Sequence, residues 1–213
     1  MSLLSAFLEE DSTSPPSIVL PSTIRNVVEI SIRTDGVLGT GAPDNPYNGS
    51  TQLLLDNLLF NRNDALTTIA PDMTIRFGPG IFQTRGFGAA EPGFRVLSGQ
   101  RFVGSGIYQT VLQLVKATPL PGIANGAVIF GTDGTVSDVV ISDLTLDCNA
   151  ARQPLEDGTP ALLSLTGVYF PNGSRIRLKR VRIINWGTHT PYNTVSATTI
   201  DVRCNQIIKR LSG

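Results

Sequence analysis

The sequence predicts an all-β protein, a short solenoid of stacked parallel coils with a single helix near its N-terminal side. Three observations carry this reading. Among 213 residues, 21 glycines and 14 prolines punctuate short runs of Val, Ile, Leu and Phe, a mixture that suits many short strands joined by turns. Two segments, Ser137–Asn149 and Ser174–Asn185, repeat one another with their apolar positions aligned. One stretch alone, around Leu54–Leu59, has clear helical periodicity.

Residues 1–28 contain Ser12-Thr-Ser-Pro-Pro-Ser17 and Pro21-Ser-Thr23, which predict a partly extended leader. Its first ten residues lack a basic n-region and end in Glu9-Glu10, so they make a poor secretory signal and read better as a short amphipathic docking helix. The domain proper is expected over 29–213. Its first strand is Val27–Arg33, where Val28, Ile30 and Ile32 alternate inward, and Thr34-Asp-Gly36 ends it as a turn. The pairs Leu54/Leu58 and Leu55/Leu59 share one helical face, and Ser50 or Thr51 is placed to accept hydrogen bonds from the first free amides.

From Thr74 onward a short apolar strand, a Gly, Asn or Asp corner and another strand recur. Aligning Ser137 with Ser174 sets Val139, Ile141, Leu144 and Leu146 opposite Ile176, Leu178, Val181 and Ile183. Each unit has two inward positions, a two-residue corner at Ser142-Asp143 or Lys179-Arg180, and two more inward positions. Such copies argue for coils that bury their inner faces on one another. Gly126–Phe130 and Gly167–Phe170 are expected to be the preceding strand of each coil, with Val128/Phe130 and Val168/Phe170 inward and Ile129 and Tyr169 outward. Thr199–Cys204 is expected to be a third copy of that strand. About three coils are recognisable, a stack expected to be incomplete at its C-terminal side.

Lys+Arg and Asp+Glu are equal at 17 each, so no global charge draws the chain to nucleic acid or an anionic membrane. No apolar run reaches the ~20 residues of a membrane span. Cys148 and Cys204 lack zinc or redox spacing; they read as two buried thiols, with a disulfide between them as the alternative.

The stretch Thr74-Ile-Arg-Phe-Gly-Pro-Gly-Ile-Phe-Gln-Thr84 and the glycine-rich corner in Gly99–Thr110 resemble the pectin-lyase-like superfamily, in particular its pectate-lyase and glycoside-hydrolase-28-related branch. The resemblance covers roughly residues 30–210. It implies a single-stranded right-handed parallel β-helix with the leucine-rich helix as its N-terminal cap, and an extracellular or surface role. The catalytic pattern departs. Where polygalacturonase-type hydrolases carry Asn-Thr-Asp, Gly-His-Gly and Arg-Ile-Lys, this chain has Asn193-Thr-Val195, Thr188-His-Thr190 and Arg175-Ile-Arg177, and it has no adjacent Asp pair. General-acid and general-base roles therefore have no evident owners.

Candidate site residues follow from the expected sheet face. Asp201 and Arg203 lie two apart on one strand, about 7 Å along it, and suit a sugar and its carboxylate; the plainer reading is an exposed ion pair. Tyr169 and Trp186 offer stacking platforms for a sugar ring. His189, the sole histidine, suits a general base or a donor to sugar. The basic run Arg175, Arg177, Lys179, Arg180, Arg182 suits an anionic polysaccharide or phosphates, Arg177 and Arg182 above all; its plainer reading is a solvated face with Asp143 opposite Arg180. No cofactor is evident, although Glu156, Asp157 and Asp147 are oxygen donors of the kind Ca²⁺ takes. The function expected is a non-catalytic module that binds glycans or serves as a structural, adhesive component, with a homo-oligomer, a trimer, among its expected partners. The alternative is a hydrolase or lyase on acidic or complex glycans, with Asp201, Arg203 and His189 catalytic.

Overall fold

The computed structural model describes residues 27–59, 69–86, 96–115, 125–130, 136–149, 164–170, 173–186, 192–193, 200–203 and 206–208. Residues 1–26 of the leader, His189, Cys204, Glu156 and Asp157 lie outside them, while its last two residues belong to the first strand. In chain order the elements are β1 (Val27–Ser31), β2 (Tyr47–Asn48), α1 (Gln52–Leu59), β3 (Thr74–Phe77), β4 (Gly80–Thr84), β5 (Arg101–Val103), β6 (Thr110–Leu114) and β7 (Asn125–Phe130). β8 (Val140–Asp147), β9 (Ser164–Tyr169), β10 (Ile176–Ile184), β11 (Tyr192–Asn193), β12 (Ile200–Arg203) and β13 (Gln206–Ile208) complete the set.

Every ladder between these strands is parallel. A ten-stranded sheet runs β12-β10-β8-β5-β3-β1-β2, and β4, β6 and β13 join it as a second arm. The sheet curls because β8 and β10 each bend in mid-strand, at Asp143 (φ 59°) and Arg180 (φ 49°). The first half of β8 pairs with β5 and its second half with β6. A separate three-stranded sheet has the order β11-β9-β7.

Alternation decides which residues enter the core. On the first arm Val28, Ile75, Phe102, Ile141 and Leu178 stand in register, level upon level, and all are buried. On the second, Phe82, Leu112, Leu146 and Ile183 do the same. Phe77 packs edge-on against Phe82 at 5.2 Å and stacks with Phe102 at 6.4 Å. Each such side chain contributes about 1.5–3 kcal/mol through burial. The aligned repeat is thus confirmed, since all eight of its apolar positions are 0 or 1% exposed.

The corners stack as well. Asp72, Gly99, Asp138 and Arg175 all have positive φ, between 52° and 76°, and backbone bonds tie their levels together. Asp72 N donates to Ser98 O, Gly99 N to Ser137 O, and Asp138 N to Ser174 O, at 2.8–3.1 Å. The left-handed turn lets the ladder continue round the bend, at a local cost for any residue with a Cβ.

Helix α1 is capped as expected, Thr51 Oγ1 accepting from Leu54 N at 3.3 Å. Leu55, Leu58 and Leu59 are buried, and so is Asp56, which the leucine pattern did not reveal. Asp56 accepts from Thr84 Oγ1 at 2.6 Å, from Arg85 N at 3.0 Å and from Gln52 Nε2. Those bonds oppose, without cancelling, the burial that raises its pKa, and they fasten the helix to the end of β4.

Three expectations need correction, while that of a buried thiol at Cys148 holds. Ile32 lies beyond the end of β1 and is exposed. Ile129 is buried, because β7 pairs one residue out of the expected register, Ile129 against Val168 and Phe130 against Tyr169. The segment Thr199–Cys204 is no third copy of that strand, because β12 pairs with β10, Ile200 against Ile176 and Val202 against Leu178. The third strand beside β7 and β9 is β11. Cys148 is a buried free thiol, its pKa pushed far up by burial.

Candidate functional site

The residues between the inward ones on the first arm make an outer face, and that face is basic. Arg76, Arg101 and Arg177 are exposed and Lys179 is half-buried. Register sets them in two rows, Thr74–Arg101–Val140–Arg177 and Arg76–Val103–Ser142–Lys179. Arg101 and Arg177 are two levels apart, about 10 Å across the ladder. Arg76 meets Glu29 at 3.4 Å. Among the described residues no hydrogen bond or ion pair engages the side chains of Arg101, Arg177 or Lys179.

Ion pairs stand at the two bends of this level. Arg175 grips Asp138 through Nε and Nη2 at 2.6 and 2.5 Å, and Arg180 grips Asp143 at 2.5 and 2.7 Å. Both pairs are bidentate. The guanidinium of Arg175 holds the Asp138 carboxyl down at about 2, and Arg180 lowers Asp143 likewise. The basic run of β10 therefore divides. Arg175 and Arg180 serve as corner ties, as the plainer reading expected for Arg180, while Arg177, Lys179 and Arg182 make no such pair among the described residues.

The pairing of β12 rearranges the expected site. Asp201 stands in register with Arg177, and Arg203 with Lys179. Both belong to the basic sheet. Tyr169 belongs to β9 of the other sheet, opposite Asn193 and Phe130, so Asp201, Arg203 and Tyr169 do not share one strand column. Trp186 is half-buried and packs on the core, which limits it as a sugar platform. Arg182 lies on the second arm, its guanidinium 5.6 Å from the centre of the Tyr108 ring.

Asp147 is a structural acid. Buried on β8, it accepts from Gln113 Nε2 at 2.8 Å, Asn185 Nδ2 at 2.8 Å and Asn149 N at 2.9 Å. Its carboxylate is thereby engaged by three neighbours. Among the described residues no three His, Cys, Asp or Glu side chains gather to hold a metal.

Sequence reasoning missed Arg76, Arg101 and Tyr108. The first two were signalled by the alternation in Thr74-Ile-Arg-Phe77 and Arg101-Phe-Val103, which places arginine opposite in facing to a buried phenylalanine or isoleucine. Tyr108 had no such signal, because its place depends on a loop. Among the described residues no helix is long and apolar enough to cross a membrane. No family model matches the chain, and no curated protein matches it.

Proposed function

We propose that this chain is a non-catalytic binding module, a right-handed parallel β-helix of the pectin-lyase-like kind, whose basic outer sheet face holds an extended anionic glycan. The observation that carries the reading is the pair Arg101 and Arg177, exposed in one row with Lys179 and Arg76 beside it and held by no hydrogen bond or ion pair among the described residues. Parallel strands present such cations at fixed intervals on a flat surface. A polymer with regularly spaced carboxylates or sulfates can meet them without ordering a loop, which keeps the entropy cost of binding low. The outward positions Thr74, Arg76, Arg101, Val103, Val140, Ser142, Arg177 and Lys179 include no aromatic on which nucleobases would stack, which favours glycan over nucleic acid.

The test is retention on immobilised acidic and neutral polysaccharides, with the wild type compared with an R101Q/R177Q variant. Retention on the acidic polymers that weakens with salt, and that the variant loses, is the expected result. Equal retention of the variant overturns the assignment of the face. Release of new reducing ends or of unsaturated uronate products would replace the reading with the hydrolase or lyase alternative. Binding to no glycan would leave a structural, adhesive role in its place.

A further inference from the structure

We infer that Arg182 and the ring of Tyr108 form an oxyanion-binding site on the second arm of the sheet, for a sulfate, phosphate or carboxylate group carried by a partner molecule. This site is separate from the outer face of the first arm and does not depend on it.

The argument begins with an unmet donor. Arg182 is half-buried, and its Nε is buried without a hydrogen-bond partner, the sole such side-chain atom among the described residues. Buried polar atoms are nearly always paired, so an orphaned charged donor calls for an explanation. The contrast along this segment is informative, since Arg175, just before β10, and Arg180 within it each hold an aspartate through two bonds. Arg182 has no carboxylate opposite it. Its neighbour on β8 is Thr145, whose hydroxyl donates instead to Ile107 O.

The second element is the platform. Tyr108 is 68% exposed, yet the chain around it is fixed. Gly106 N donates to Asp143 O and Gln109 N to Gly106 O, at 2.9 and 3.0 Å. Ser105 Oγ donates to Phe77 O at 2.9 Å. The loop therefore presents the ring over the guanidinium in advance of any ligand. Stacking on an aromatic face orients the planar fork and leaves its edge for two parallel bonds to an oxyanion. An oxyanion there would supply both the missing charge and the missing acceptor.

The experiment follows the Arg182 Nε–H resonance by ¹⁵N NMR of the full chain, assigned by its absence from R182Q. Sodium sulfate, phosphate and acetate are titrated separately against chloride at constant ionic strength. A saturable shift with at least one of the three, lost in R182Q, weakened roughly threefold in Y108L and unchanged in R101Q/R177Q, is the expected result. Preference for sulfate and phosphate identifies a tetrahedral group as the ligand, and preference for acetate a carboxylate. No saturable response, a response matched by chloride, or an affinity indifferent to Y108L overturns the proposal. Because R101Q/R177Q leaves this site intact, failure of the glycan-binding reading and failure of this one are told apart.

Discussion

Replacing Asp147 by alanine should destabilise the protein far more than a typical polar substitution. The carboxylate accepts from Gln113 Nε2, Asn185 Nδ2 and Asn149 N, at 2.8, 2.8 and 2.9 Å. Gln113 belongs to β6, Asp147 to β8 and Asn185 follows β10, so one side chain ties three successive levels. Leaving a buried donor unpaired costs about 1–3 kcal/mol. Gln113, Asn185 and Asn149 are half-buried and recover part of their bonding from water, so about 1 kcal/mol for each of the three donors is the appropriate figure, for a total of about 3 kcal/mol. In a chain of this size that corresponds to a fall in Tm of about 6–12 °C. Urea unfolding followed by far-UV circular dichroism measures it, with an unchanged m-value as the check that the folded state persists. Asp147→Asn keeps one acceptor oxygen and should lose about half as much. A loss below about 1 kcal/mol for Asp147→Ala would refute the reasoning, as would full additivity with Gln113→Ala in a double-mutant cycle.

Gly104→Ala would set a Cβ 2.4 Å from Asp143 O and 2.7 Å from Leu144 Cβ; a loss of about 1–3 kcal/mol is expected in the same unfolding assay. Arg180→Gly should leave the urea midpoint nearly unchanged, because relief of its left-handed backbone offsets the loss of an exposed ion pair, whereas Arg180→Ala loses the pair without that relief and should lower the midpoint slightly. Asp138 has a folded pKa of about 2, below the ordinary 3.8, so the stability it adds is complete above pH 3.8 and fades as pH falls toward 2. Tm measured against pH should accordingly show a shallower acid limb in that window for Asp138→Asn, and an unaltered limb would contradict the assignment. Leu144→Ala removes a fully buried side chain and should cost about 2–5 kcal/mol, read as a lower urea midpoint.

Much of the stack was legible because apolar alternation and a repeat speak directly of burial. Val139, Ile141, Leu144 and Leu146 could be matched to their counterparts without knowing where any strand lay. The helix cap was equally readable, as Ser50 or Thr51, of which Thr51 accepts the bond. The strand at Ile200 was misplaced for a physical reason. Its Ile-x-Val alternation fits any inward-facing strand, and which neighbour it joins is set by backbone pairing with Ile176 and Leu178, for which the side-chain pattern carries no label. The one-residue shift of β7 has the same origin. For the candidate site, Arg177 and Arg182 were named in advance, but their surroundings were not. The row with Arg101 arises from register across β5, β8 and β10, and Tyr108 reaches Arg182 through a loop that precedes it by more than one level.

The column of left-handed corner residues has a consequence for how such a molecule could change in length. Asp138 and Arg175 adopt the same turn one repeat apart, and Asp143 stands opposite Arg180 over an interval of 37 residues. A tandem copy of residues 137–173 would therefore present, at both of its seams, the bend and the hydrogen-bonding edge that the adjoining chain already has. Insertion of a whole repeat is therefore compatible with the backbone. Growth or trimming of this protein is thus expected to proceed in complete storeys, and the row of outward side chains would lengthen like a ruler by one graduation at a time.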